Sequence, residues 1–193
     1  MSRTVVAAAM MAAACAGSSG PAPTARSTPV AASPAPAALA APALRNPGFE
    51  DPVVAGARCP PRWECSAHVD VTSFRFSVSN EAAAAGSGSM CIERVGNEPW
   101  ALATQAFHTI AMRGQRLRLS MGVRAQGLDG GAGPFILSQG GRAHAQKLVK
   151  STSGWERIAV DLAVPADSNL LVVGAVFEGG GKACFDDVRL ELI

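Results

Sequence analysis

The sequence predicts an all-β domain over residues 45–193, a sandwich or barrel of antiparallel strands, and two observations carry that reading. From Asn46 onward, short alternating or apolar runs recur at close intervals. Turn-forming residues separate them: Ala-Gly-Ser-Gly at 85–88, Asp-Gly-Gly-Ala-Gly at 129–133, Val-Pro-Ala-Asp at 164–167 and Gly-Gly-Gly at 179–181. The one helix-friendly stretch, 80–85, is short and runs into glycine, which leaves room for a single turn. Strands are expected at 68–76, 89–95, 101–107, 115–125, 133–138, 146–149, 156–162, 169–178 and 183–193.

Before the domain lie two segments of different texture. Residues 1–15 begin with a basic Arg3 and continue into an uncharged apolar run of about ten residues, the pattern of a secretory signal. That run is half the roughly 20 residues that a membrane-spanning helix needs. Ala12, Ala13 and Ala14 lead directly into Cys15, which resembles the lipobox of bacterial lipoproteins, with Ala12 where that pattern usually has Leu. The resemblance implies lipidation at Cys15. Residues 16–44 are almost entirely Ala, Pro, Ser, Gly and Thr, with Arg26 the one charge before Leu44. Such a composition buries too little to fold and reads as a semi-extended linker. An exported protein, membrane-anchored through a lipid or free in the periplasm or medium, is the expectation.

Charge excludes one class of partner. Lys and Arg total 17 against 15 Asp and Glu. With both signs spread along the chain, no concentrated field exists to hold nucleic acid. Catalytic signatures are also missing: there is no G-x-S-x-G, no H-E-x-x-H and no phosphate-binding glycine loop, and His68, His108 and His144 lie on separate segments. A binding module is expected rather than an enzyme.

Four cysteines remain after Cys15: Cys59, Cys65, Cys91 and Cys184. In an exported chain an even number suggests disulfides, although four cysteines allow three pairings. The short proline-rich loop between Cys59 and Cys65 favours that pair, which leaves Cys91 with Cys184. The longer closure would restrict the unfolded chain by roughly 4 kcal/mol in the entropy model.

Two-residue alternation assigns the faces of individual strands. In 117–125, Leu117, Leu119, Met121 and Val123 are expected to point inward, with Arg118, Ser120, Gly122 and Arg124 outward. In the closing strand Val188, Leu190 and Leu192 share one face, and alternation puts Asp186 and Cys184 on that same inward side. A buried carboxylate there needs backbone N–H donors, an arginine or a cation.

The order of several fragments resembles the jelly-roll carbohydrate-binding modules attached to bacterial cellulases and xylanases, of the galactose-binding-like type. The fragments are Arg45-Asn46-Pro47-Gly48-Phe49-Glu50 followed by Trp63, then Gly88-Ser89-Met90-Cys91-Ile92, then Trp100 and Gln105. Gly114-Gln115-Arg116-Leu117-Arg118-Leu119-Ser120, Gly154-Trp155-Glu156-Arg157-Ile158 and Cys184-Phe185-Asp186-Asp187-Val188-Arg189-Leu190-Glu191 complete the set. The resemblance implies an antiparallel β-sandwich of jelly-roll form and structural roles for Trp63, Trp100 and Trp155. It also implies a structural calcium ion where the opening Glu50 meets the closing Asp186. For a ligand face, residue type and central position single out Gln105, Arg124, Phe135, Gln139 and Lys147. The expected partner is a glycan of the envelope or environment; the alternative is a structural or protein-interaction module that contacts an envelope protein.

Overall fold

The computed structural model describes residues 39–81, 83–139 and 143–193. The export segment, Cys15 and linker residues 16–38 lie outside the described residues. The expected linker ends earlier than its composition suggests, because Ala41 and Leu44 already pack against the core.

Ten strands make two five-stranded antiparallel sheets. In chain order they are β1 (Glu64–Ala67), β2 (Phe74–Ser79), β3 (Ser89–Arg94), β4 (Trp100–His108), β5 (Arg116–Gln126), β6 (Gly131–Gln139), β7 (Ala143–Gln146), β8 (Glu156–Ala163), β9 (Leu170–Glu178) and β10 (Lys182–Leu192). The first sheet has the order β1-β4-β9-β6-β7 and the second β2-β3-β10-β5-β8. The inward face of β5 is the one expected: Leu117, Leu119, Met121 and Val123 are fully buried. Opposite them, Ala101, Ala103, Ile136, Val173 and Phe177 fill the interior from the first sheet.

Five elements differ from the sequence reading: β1 was not expected, β7 (Ala143–Gln146) ends where the expected strand 146–149 begins, and three others are local departures. The expected strand 68–76 is interrupted by a 3₁₀ turn, Val71–Ser73, because the Asp70 carboxylate accepts from the backbone N–H of Thr72 and pulls the chain out of extension. No helical turn forms over the described residues of 80–85, which belong to a loop. The last of these is in β10. Pairing with β5 shifts register between Asp186 and Arg189, where Asp187 adopts φ 47°. This bulge adds one residue and reverses the alternation. Ala183, Phe185, Val188, Leu190 and Leu192 therefore face the interior or its rim, whereas Cys184 and Asp186 lie on the outer side of the second sheet, contrary to the simple two-residue count.

The opening and closing segments meet. Phe49 packs on Trp63 with ring centroids 5.1 Å apart, and the Trp63 indole N–H donates to the Asn46 carbonyl at 3.0 Å. The Val188 amide donates to Pro47 O at 3.0 Å, which fixes the start of the domain beside its last strand. Both expected disulfides are present, Cys59–Cys65 and Cys91–Cys184, the latter joining directly opposed residues of β3 and β10. Replacing Cys91 and Cys184 together by Ala should lower stability by roughly 4 kcal/mol, measured as a shift in chemical-denaturation midpoint against the oxidised parent.

Candidate functional site

Once the inner faces are committed to the core, side chains on the outer faces are free for other uses. On the first sheet that outer face is unusually apolar. Register places Leu102, Val176 and Gly133 in one row, Thr104, Gly174 and Phe135 in the next, and Ala106, Val172 and Leu137 in a third. Trp100 begins the same face of β4 opposite Glu178. The result is a groove of about 310 Å³ walled by Trp100 and Leu102 on one side and by Phe135 and Leu137 on the other, with Val176 between them.

Glycines keep the groove open and its strands close. A side-chain carbon on Gly174 would overlap the carbonyl oxygen of Ala103 on β4, and one on Gly133 would overlap the Lys147 carbonyl. Gly131, beside Glu178 in the ladder, lets Leu148 pack directly over β6, where an added carbon would come within 2.9 Å of the Leu148 Cβ. The Gln146 side-chain amide donates to Glu178 Oε1 at 3.2 Å. Hydrogen-bonding groups therefore stand at one end of an otherwise apolar trough. The rim beside Trp100 carries a second polar pair: His68, whose ring meets Trp100 edge-on at 5.9 Å, lies 3.3 Å from the Glu98 carboxylate.

The sequence-predicted ligand residues do not form one face. Phe135 lies in the groove, and Gln139 is exposed at the far end of the same strand. Lys147 is exposed on the segment after β7, where its amide donates to Pro134 O. Arg124 belongs to the opposite layer, on the outer face of the second sheet, with its guanidinium 5.2 Å from the Trp155 ring centroid. Gln105 is 2% exposed, and its amide is consumed by the Arg45 backbone, accepting from N at 3.0 Å and donating to O at 2.6 Å. Its position is structural: it stands on the inward side of β4, and such a side chain needs both partners when buried. Trp100, expected as a packing residue, is instead half-exposed on the groove wall. Leu102, Leu137, Gln146, Val176 and Glu178 were not singled out from the sequence. The available signal was that β4 and β9 are apolar at both alternating sets of positions, which core packing on one face alone does not require.

Glu50 and Asp186 are brought together beside Gly48, whose missing side chain leaves room for both, and they grip the loop that precedes β3. Glu50 Oε1 accepts from the amides of Ser87 (2.8 Å) and Gly88 (3.0 Å), and Oε2 accepts from the Ser87 hydroxyl. Asp186 Oδ2 accepts from the amides of Ala84 (2.6 Å) and Ala85 (2.8 Å), and Oδ1 from that of Asp187. Every oxygen expected to take calcium thus already faces a hydrogen. No cluster of three metal-ligating side chains occurs among the described residues. The hydrogen bond from Ser87, with those from the Gly88 and Ser87 amides, holds Glu50 below the usual glutamate range. Burial pushes Asp186 up, against the three amide hydrogen bonds that favour its charge.

Two sheets facing across one apolar interior, with a groove on the outer surface of one, define a jelly-roll β-sandwich of the kind found in carbohydrate-binding modules. Among solved structures, the chain is similar to a CBM4 module (TM-score 0.51, 20% identity, covering 78% of this chain and 100% of that one). It is similar also to the C-terminal family 22 carbohydrate-binding module of Clostridium thermocellum Xyn10B, a module whose conserved cleft residues were studied in ligand binding (0.51, 14%, 75% and 89%). A third likeness is to the enzymatically active domain of bacteriophage CBA120 tailspike protein 4 (0.53, 17%), which covers 68% of this chain and only 19% of that one. No family sequence profile and no curated protein matches the chain. At these identities the likeness establishes the fold.

Four measurements follow from this geometry. Gly174→Ala should cost roughly 2–3 kcal/mol, because rigid backbone rather than a movable side chain blocks the added carbon; urea denaturation reads the loss. Asp186→Ala strands three amides and should cost about 2–3 kcal/mol. Since Glu50 has its acidity raised on folding, its stabilisation is present above the usual glutamate pKa and disappears as pH falls through the lower folded value; Asp186 has the opposite sign, favouring the fold most when protonated. Glu50→Gln should therefore flatten the acid limb of the melting-temperature profile. With hydrogens already aimed at both carboxylates, melting should be the same in EDTA and in millimolar calcium; a calcium-dependent rise of several degrees would place an ion there.

Proposed function

We propose that the domain is a non-catalytic glycan-binding module whose binding site is the groove across β4, β9 and β6. The observation that carries this reading is the pairing of Trp100 and Phe135 on opposite walls with the Gln146–Glu178 hydrogen-bonding pair at one end. A sugar ring presents apolar C–H faces and polar hydroxyl edges. A trough with aromatic walls and a few fixed polar groups matches that division, as small-ligand sites generally do. The fold shared with carbohydrate-binding modules supports the same conclusion. Nothing in the groove resembles a nucleophile with its base: His68 is paired with Glu98 on the rim, and His108 and His144 sit on different strands.

Export fits the chemistry of the domain, since its two disulfides persist in oxidising compartments. With the signal-like segment and Cys15 at the front, we read the protein as exported and held by a lipid at Cys15 on a Pro/Ala tether, with its glycan in the envelope or surroundings. Retention of the full chain in the membrane fraction, and release of Cys15→Ser, would be the expected results.

The groove is tested by a glycan array followed by calorimetry with neutral xylo-, cello- and galacto-oligosaccharides. Trp100→Ala and Phe135→Ala should each weaken binding by at least tenfold, about 1.4 kcal/mol, with little change in melting temperature because both rings are part-exposed. Silence across the array, with capture of an envelope protein that the same substitutions abolish, would favour the protein-interaction reading instead.

A further inference from the structure

The outer face of the second sheet is crowded with charge, and nearly all of it is internally paired. Arg75 meets Glu93 at 3.0 Å, Arg118 meets Asp161 at 2.7 Å, Arg116 reaches the same Asp161 at 3.8 Å, and Asp187 holds both Arg157 and Arg189. Two cations on this face lack a carboxylate partner among the described residues, Arg124 and Lys182, and they share one cavity of about 330 Å³ with Gln126 and Cys184. Cys184 stands opposite Arg124 and Lys182 opposite Gln126, so the two cations are diagonal neighbours on β10 and β5. Such neighbours have Cα atoms about 7–8 Å apart, within reach of one shared anion. The carboxylate nearest in register, Glu93 across from Lys182 on β3, is already engaged by Arg75.

Two diagonal cations with no carboxylate bonded to either make a local positive spot that one shared anion would neutralise. The side chains are also arranged for an anion. Arg124 is half-buried with its guanidinium over the Trp155 ring. The cation–π contact anchors the side chain, and no hydrogen bond from its N–H fork is made to another described residue, which leaves the fork for a carboxylate, the group it fits in a bidentate way. Lys182 and the Gln126 amide add donors, and no acidic side chain lines the cavity.

We propose that Arg124, Gln126 and Lys182 form a second binding site, on the layer opposite the groove, that takes the carboxylate of an acidic saccharide such as a uronic acid. That a saccharide carries the carboxylate rests on the glycan reading above; the anion preference rests on this cavity alone. A chain with both neutral and acidic units would then be held on two faces, each site reading a different part of it.

The test is a calorimetric titration of the full chain with oligogalacturonate and with the same oligomer methyl-esterified, which removes the charge and keeps the sugar. Saturable binding of the free acid, at least tenfold weaker for the ester and weakened by added salt, is expected. The double variant Arg124→Gln, Lys182→Gln should lose at least tenfold of that affinity. Lys182→Gln alone, an exposed position that leaves the Arg124–Trp155 stack in place, should lose part of it with an unchanged melting temperature. Trp100→Ala should leave acid binding as it is, which separates failure of this site from failure of the groove. Equal binding of acid and ester, no saturable binding of the acid, or wild-type affinity in the double variant would overturn the proposal.

Discussion

The burial of one face of each sheet against the other is the constraint on which the rest of the molecule depends. With side chains alternating at every residue, committing Leu117, Leu119, Met121 and Val123 to the interior forces Arg118, Ser120, Gly122 and Arg124 to the outside, and the same holds for each paired strand. A slip of one residue would exchange the two sets. What the outer faces carry is therefore not needed to hold the sheets together, and departures from an ordinary solvated surface there call for another cause. Each layer shows one: Trp100, Leu102, Phe135 and Leu137 on the first, and two unpaired cations beside a row of ion pairs on the second.

The chain ends are tied to this sandwich by a local break in its periodicity. Because β10 bulges at Asp187, Asp186 leaves the core side and meets the amides of Ala84 and Ala85, while Val188 still points inward and its amide meets Pro47. Glu50 grips the same loop through the Ser87 and Gly88 amides. Hence one extra residue in the last strand positions the opening segment, the loop before β3 and the Cys91–Cys184 bridge at once. It also brings Lys182 and Arg124 to one side of the sheet, so the clasp and the basic cavity share an origin.

Most strands and both disulfides were legible in the sequence because they follow from local pattern: alternation marks β5, glycine turns mark the ends of β6 and β9, and a six-residue separation favours Cys59–Cys65; the four-residue β1 and β7 are too short to carry such a pattern. The faces were less so. A bulge reverses the two-residue count without changing composition, and for that reason Cys184 and Asp186 were expected inside. Gln105 looked like a ligand group because nothing local announces that the Arg45 backbone, sixty positions away, will occupy its amide. Trp100 was expected as a structural ring because the resemblance implies one there, and an apolar ring on a doubly apolar strand carries no mark of which side it faces. The groove is a property of register across three strands, β4, β9 and β6, that are distant in sequence.

Ligand binding on the apolar outer face of the first sheet is what distinguishes a glycan-binding module from a bare scaffold. Nuclear magnetic resonance mapping with a neutral oligosaccharide selected from the array tests it most directly. The Trp100 indole signal and the amides of β4, β6 and β9 around Leu102, Phe135 and Val176 should shift together and saturate with one dissociation constant. Shifts confined to the loops or to the second sheet, with the Trp100 indole unmoved, would contradict it.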